Sequence, residues 1–214
     1  MINDFFGFCG LNDFEFWIVV RLYLAAFITV FLGLKHVFFK KKLTPKLKVL
    51  FWSFVIAAIG WEIWLTYGIG GGLAVDDRRS IALSCAVPQN LNWLLNSLAD
   101  VFIVWIGLLL VEKLFKQRTA FLKWEWKVTL VLFLWFGAQN IYVEAFFYHL
   151  QLGSNGDLSW APLQPLGTWF NPTLFKINGN PITFQSQSSW VLMTPVVQFL
   201  AIYFKKNKRK ESII

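Results

Sequence analysis

The chain has 214 residues, of which 57% are hydrophobic and only 15% charged, with a mean hydropathy of +0.53. Soluble domains carry about 25% charged residues and disordered chains are poor in apolar side chains, so both classes are excluded and a polytopic membrane protein is left. The net charge of +8 does not call for nucleic acid, because in a membrane chain it is the position of the basic residues that carries meaning.

The expected fold is all-α, a polytopic membrane helical bundle with five transmembrane helices. A helix needs about 20 apolar residues to cross the hydrocarbon core. In chain order the candidate spans are 16–39, 49–67, 91–111, 128–148 and 189–204. The fifth is the shortest and contains Pro195, which predicts a kink. The basic residues cluster at Lys35 to Lys48, at Lys113 to Lys127 and at Lys205 to Lys210, which leaves only Arg21, Arg78, Arg79 and Lys176 elsewhere. The positive-inside rule then places the N-terminus outside and the C-terminus inside, and it assigns the clusters to orientation and to anionic lipid at the inner face. The first residues lack a basic stretch and a small-residue cleavage site, so no cleavable signal is expected. No internal repeat is visible, which gives an inverted-repeat transporter no support.

The chain reads as one membrane domain, 1–214, ending in a basic cytoplasmic tail, 205–214. Its outer connections differ from the inner ones. Residues 68–90 open on Gly68, Ile69 and Gly70 to Gly72, a hinge-like run. Residues 149–188 are rich in Pro, Asn, Gly and Trp, and connections of that length usually have a function of their own. With Trp160, Trp169 and Phe170 they read either as a folded lid at the outer interface or as a plain aromatic anchor. Cys9 and Cys85 both fall outside, where a disulfide or two free thiols fit equally well. Neither has metal-ligand spacing, and His36 and His149 are far apart, so no metal, haem or other cofactor is expected. Nucleophile elbow, P-loop and dinucleotide motifs are absent.

Three acids lie inside the spans: Glu62, Asp100 and Glu144. A charge at a helix centre costs roughly 2.5–3.5 kcal/mol on insertion, so such residues face the bundle interior and mark function by default. At a rise of about 1.5 Å per residue all three sit in the outer half of the bilayer. Polar neighbours share their faces. Asn92, Asn96 and Asp100 form one stripe, Asn140 and Glu144 another with Gln139 beside it, and Thr194 and Gln198 a third. Interhelical hydrogen bonding explains the amides, but it explains carboxylates without basic partners less well. Arg21 is the one basic residue deep enough to pair with an acid. Aromatics flank each acid: Trp61, Trp64 and Tyr67 beside Glu62, Trp93 and Trp105 beside Asp100, Tyr142 and Tyr148 beside Glu144. A carboxyl in an apolar wall can hold its proton near neutrality, and a ring face stabilises a carbocation. The set Glu62, Asp100 and Glu144 is therefore the candidate catalytic group. Trp61, Trp64, Tyr67, Asn92, Trp93, Asn96, Asn140 and Tyr142 are the candidate substrate contacts.

The segment Ala57-Ala58-Ile59-Gly60-Trp61-Glu62-Ile63-Trp64 resembles a Trp-Glu segment of the small integral-membrane terpene cyclases of fungal meroterpenoid and indole-diterpene pathways. Trp93 to Asp100 is similar to the Trp-apolar-Asp pattern of the following span in that family. The resemblance implies that Glu62 is a proton donor and Asp100 a supporting acid or base. Gly137-Ala138-Gln139-Asn140-Ile141-Tyr142 is loosely similar to the fourth span of the emopamil-binding-protein type sterol isomerases, a five-span family. Both resemblances imply proton-initiated chemistry on an isoprenoid or sterol-like lipid in the membrane of a bacterium or of the endoplasmic reticulum. The competing expectations are a lipid-binding or accessory subunit, whose protein partner the sequence does not name, and a proton- or cation-coupled carrier.

Overall fold

The computed structural model describes residues 7–39, 43–69, 73–115, 121–153 and 168–211. Most of them are helical. Helix α1 spans Asp13–Phe39, α2 Pro45–Ala57, α3 Ile63–Tyr67, α4 Ile81–Ala86, α5 Gln89–Leu114, α6 Trp126–Phe146 and α7 Phe184–Glu211. Between α2 and α3 the helix does not stop but widens into one π-type turn, Ala58–Glu62.

Local signals set the helix ends. Asn12 accepts from the backbone N–H groups of Phe14 and Glu15, and Glu15 accepts in return from the Asn12 N–H at 3.1 Å, a reciprocal N-terminal cap. Thr44 caps α2 ahead of Pro45, whose fixed φ and missing N–H suit a first helical position. Gly68 ends α3 at φ 67, a left-handed conformation that favours glycine.

Among the described residues four helical stretches are long and apolar enough to cross a membrane: Asp13–Lys35, Pro45–Tyr67, Gln89–Leu114 and Trp126–Phe146. Their outer surfaces keep Leu24, Phe27, Phe31, Phe51, Leu130, Phe133 and Leu134 exposed, as expected where lipid rather than water is the solvent. The expected fifth span differs. Helix α7 starts five residues before 189 and runs unbroken through Pro195, but it opens on Gln185, Ser186, Gln187, Ser188 and Ser189 and ends on lysines, so it is the least apolar of the long helices.

Helix α5 lies at the centre, packed against α1, α2 and α6, and α7 closes the ring between α2 and α6. Val104, Leu108, Leu132, Phe136, Trp190, Met193 and Val197 form the main core. A second cluster joins Val19, Leu22 and Ala26 of α1 to Leu83, Ala86, Val87 and Leu95. Gly107 permits the α5–α6 approach. A Cβ placed there would stand 3.1 Å from the Trp135 ring and 3.2 Å from both Leu132 and Phe136. Gly107→Val should therefore cost roughly 1–3 kcal/mol by overpacking, seen as a lower melting temperature in detergent.

The all-α expectation needs one correction. An antiparallel hairpin, β1 Thr173–Ile177 and β2 Asn180–Thr183, occupies part of the stretch read as a lid or an aromatic anchor. Its two-residue turn has Asn178 at φ 51 and Gly179 at φ 83. These are the positive angles that a twisted hairpin demands and that Asn-Gly adopts most readily. The rest of the lid expectation, with Trp160, and the glycines at 70–72 lie outside the described residues. Residues 73–90 are more ordered than a hinge, with a short turn at Val75–Asp77 and helix α4. Cys9 and Cys85 form a disulfide with Cα atoms 5.6 Å apart, which resolves the open choice in favour of pairing. At the opposite end of the bundle Lys46 pairs with Glu112 at 2.5 Å.

Candidate functional site

A partly open cavity of about 220 Å³ lies over α5, in the cleft between α1 and α6. Both of those helices pack on α5 but barely on each other. Glu62, Asp100, Asn96, Asn140 and Tyr142 line the cavity, so five of the eleven sequence-predicted residues from three separate spans meet there.

The widened turn brings Glu62 inward. Its extra residue pushes Trp61 and Glu62 together into the bundle, where both are buried. Two indoles from neighbouring positions hold this turn. Trp93 Nε1 donates to the Ala58 carbonyl at 2.9 Å, and Trp61 Nε1 donates to Asp100 Oδ2 at 2.7 Å. Trp61 also packs near Trp190, which in turn lies 5.0 Å from Phe136. Glu62 is 5% exposed, and among the described residues its Oε2 has no hydrogen-bond partner. Glu62 and Asp100 are close enough for their charges to interact, and Tyr148 feels both. A buried carboxyl with an unmade hydrogen bond, facing a cavity, is the arrangement a proton donor needs and a packing residue avoids.

The other pole of the cavity is an amide and guanidinium cluster. Gln151, in a π-type turn at His149–Gly153, donates to Asn96 Oδ1 at 2.5 Å and accepts from Arg21 Nη2 at 3.2 Å. Asn96 also donates to the Asn92 carbonyl at 2.9 Å. Arg21 lies over the Phe147 ring, 3.9 Å from its centroid. Arg21, the one basic residue deep enough to pair with an acid, forms no ion pair among the described residues.

The remaining predicted residues are elsewhere. Glu144 is tied to the hairpin and α7, accepting from Thr183 N–H at 3.0 Å, Thr183 Oγ1 at 2.8 Å and Gln187 Nε2 at 2.6 Å, and it does not line the cavity. Asn92 donates to Thr66 Oγ1 at 3.1 Å and receives Arg79 at 2.8 Å. Tyr67 donates to Asn90 Oδ1 at 2.8 Å at the end of α3, and Trp64 is half-buried outside the cavity. Trp93 acts on the turn and not on the hollow. Of the polar residues expected from the last span, Thr194 donates to its own helix at Trp190 O, and Gln198 binds Thr129 and the Glu125 carbonyl. What α7 gives the cavity is Trp190.

Residues missed as contacts include Arg21, Gln139, Trp135, Trp190, Phe102, Tyr148 and Gln151. Tyr148 and Trp190 differ in no sequence feature from the other aromatics of their spans. Gln151 lies past the end of its span, where polarity is ordinary.

Arg79 supports the cavity from the disulfide end. All five N–H groups of a guanidinium are used here. Nε donates to Ser84, and Nη1 donates to Asn92 Oδ1 and to the Gln151 carbonyl at 3.3 Å. Nη2 donates to Asp76 Oδ1 at 2.7 Å and to the Val87 carbonyl. Burial pulls its proton affinity down and the Asp76 carboxylate pulls it back. Its neighbour Arg78, donating to the Leu65 carbonyl, is pushed down to about 10 by burial and by the Arg79 charge, and so remains cationic at neutral pH. Ser80 Oγ donates to Glu15 Oε1 at 2.5 Å and ties the start of α1 to the same segment.

Comparison with known proteins finds no matching family model, no similar curated protein and no similar solved structure.

Proposed function

We propose that the chain is a membrane-embedded enzyme that starts cyclisation or double-bond isomerisation of an isoprenoid or sterol-like lipid by protonating it in this cavity. One observation carries the reading: Glu62, with its unsatisfied buried oxygen, and Asp100 share one aromatic-lined hollow. In the isomerase form, the Glu62 carboxyl gives its proton to an alkene carbon and a C–H bond forms. The cation at the neighbouring carbon faces the Trp135 and Trp190 rings. An adjacent C–H bond then breaks, its electrons close a new double bond, and Asp100 takes the proton. Asp100 then releases its proton to solvent and Glu62 takes one up, so the pair is reset without any redox change and the next proton delivered comes from solvent. In the cyclase form a second double bond of the substrate captures the cation first. A substrate longer than the hollow leaves its tail in the cleft between α1 and α6, in contact with lipid.

Bilayer placement is part of the same reading. Helix α7 counts as a fifth span because it fills the ring between α2 and α6, and the lysine-rich helix ends then face the cytoplasm. The disulfide falls on the outer, oxidising side of a bacterial inner membrane or of the endoplasmic reticulum membrane. A membrane-impermeant thiol reagent should label a cysteine added after Ile214 only once the membrane is opened. Labelling in intact bacterial cells or right-side-out vesicles would leave α7 outside the bilayer.

The enzymatic reading is tested by turnover in heavy water. Protein in nanodiscs, incubated in D2O with a polyisoprenoid and sterol extract, should put one carbon-bound deuterium into a single product species per turnover, because the transferred proton comes from an exchangeable carboxyl. No mass shift in any lipid of the extract counts against it.

A further inference from the structure

The cavity has two poles, and proton transfer uses only one. At the other, Arg21 is a cation inside a predicted span, two turns into α1, whose contacts among the described residues are neutral: the Gln151 amide at 3.2 Å and the Phe147 ring at 3.9 Å. The Gln151 amide group is fixed by donating to Asn96, so the oxygen it turns to Arg21 cannot be exchanged for anything better. Of the five donors on a guanidinium, one is used among the described residues. Glu62 and Asp100 line the same cavity, but among the described residues neither forms an ion pair with Arg21. A cation in hydrocarbon is retained where something pairs with it, and the planar fork of arginine fits a carboxylate or a phosphate.

We infer that the ligand of this cavity is an anionic amphiphile, its carboxylate or phosphate held by Arg21 beside Gln151 and its apolar chain laid along Leu22, Ala25 and Ile106 toward the cleft between α1 and α6. The inference rests on the reading of the cavity as a lipid substrate site, and it narrows that site from any isoprenoid-like lipid to one with an acidic head. The head fixes which carbon reaches Glu62, because a charge anchored at one pole sets the register of the chain against the other. The amides of Asn96 and Gln151 give the head further hydrogen bonds without adding charge.

Calorimetric titration of the full chain in phosphatidylcholine nanodiscs tests this with dodecyl phosphate, dodecanoate, dodecanol and inorganic phosphate. At least one anionic amphiphile should bind about tenfold or more tightly than dodecanol. Arg21→Gln should erase that preference and Arg21→Lys should keep part of it. Gln151→Glu, which supplies an internal countercharge, should erase it with Arg21 in place. Equal affinity for dodecanol and both anions in the unmodified chain overturns the inference without recourse to any variant. A preference that survives Arg21→Gln overturns it too, by placing the anion on the basic helix ends. Inorganic phosphate binding as tightly as dodecyl phosphate overturns the amphiphile in favour of a free anion. Glu62→Gln separates the two claims, since it should leave the head-group preference intact. If the preference is found but deuterium uptake survives Glu62→Gln, Glu62 is not the proton donor and the anion site stands. If uptake depends on Glu62 but the preference is missing, only the head group is wrong.

Discussion

Glu62→Gln should lower deuterium incorporation by about 100- to 10,000-fold, the usual contribution of a positioned general acid, while the protein keeps its melting temperature. The amide is nearly the same size, so the packing of the widened turn is conserved, and the hydrogen bonds from Trp93 and Trp61 that hold that turn do not involve the Glu62 side chain. What is lost is the transferable proton. Folding should be neutral to slightly improved, because Glu62 Oε2 has no partner to lose and an ionisable group leaves an apolar site. Activity and stability thus move independently, which separates a chemical role from a structural one. Asp100→Asn should also lower turnover. It should cost some stability as well, since the indole bond from Trp61, 2.7 Å long, then ends on a neutral amide and loses the strength that a charged acceptor lends. Full incorporation by the folded Glu62→Gln protein would remove Glu62 from the chemistry.

Arg79→Met is the substitution expected to damage the fold most, by about 3–5 kcal/mol, the cost of breaking a buried charged network from one side. Methionine fills part of the volume but leaves the Val87 and Gln151 carbonyls, Asn92 Oδ1 and the Asp76 carboxylate each without the donor they had. A buried unsatisfied acceptor costs roughly 1–3 kcal/mol. Arg79→Lys should recover less than half, because three donors on one nitrogen cannot span acceptors that sit on both sides of a planar fork. Thermal unfolding in detergent under non-reducing conditions reads both, and a loss under about 1 kcal/mol for Arg79→Met would show that the network is redundant. Asn92 and Gln151 hang on this guanidinium, so ligand affinity at the Arg21 pole should fall along with stability.

The spans are legible because hydrocarbon imposes a length that shows directly in the sequence, and α1, α2, α5 and α6 lie where the apolar runs predict. Helix α7 is legible as a helix, but its polar opening extends it to Phe184, and whether such a helix crosses a membrane is not a question that apolar length answers. The hairpin announces itself in Asn178-Gly179 between β-prone flanks, a signal passed over when the stretch is read from its composition alone. At the site, Glu62, Asp100 and Asn96 are legible because a polar group in an apolar span has few reasons to be there. Glu144 meets the same test and goes elsewhere, as it stands near the end of α6, where the hairpin supplies donors that no helix periodicity reveals. Arg21 stands out in the sequence by its depth, but depth does not identify its neighbours. Its contacts, Gln151 and Phe147, follow α6 after a turn whose direction only the tertiary packing decides.

The π-type turn at Ala58–Glu62 has a further consequence for how this site can be lost. A stretch with one residue more than its axial rise requires can surrender one without shortening the span by more than about 1.5 Å. Deleting Gly60 should thus close the wide turn into a regular one and leave insertion, length and the facing of both flanking stretches almost untouched. Only the turn itself would change, and with it the inward displacement of Trp61 and Glu62. Drawing the carboxyl back in this way would silence the pocket without altering the rest of its lining.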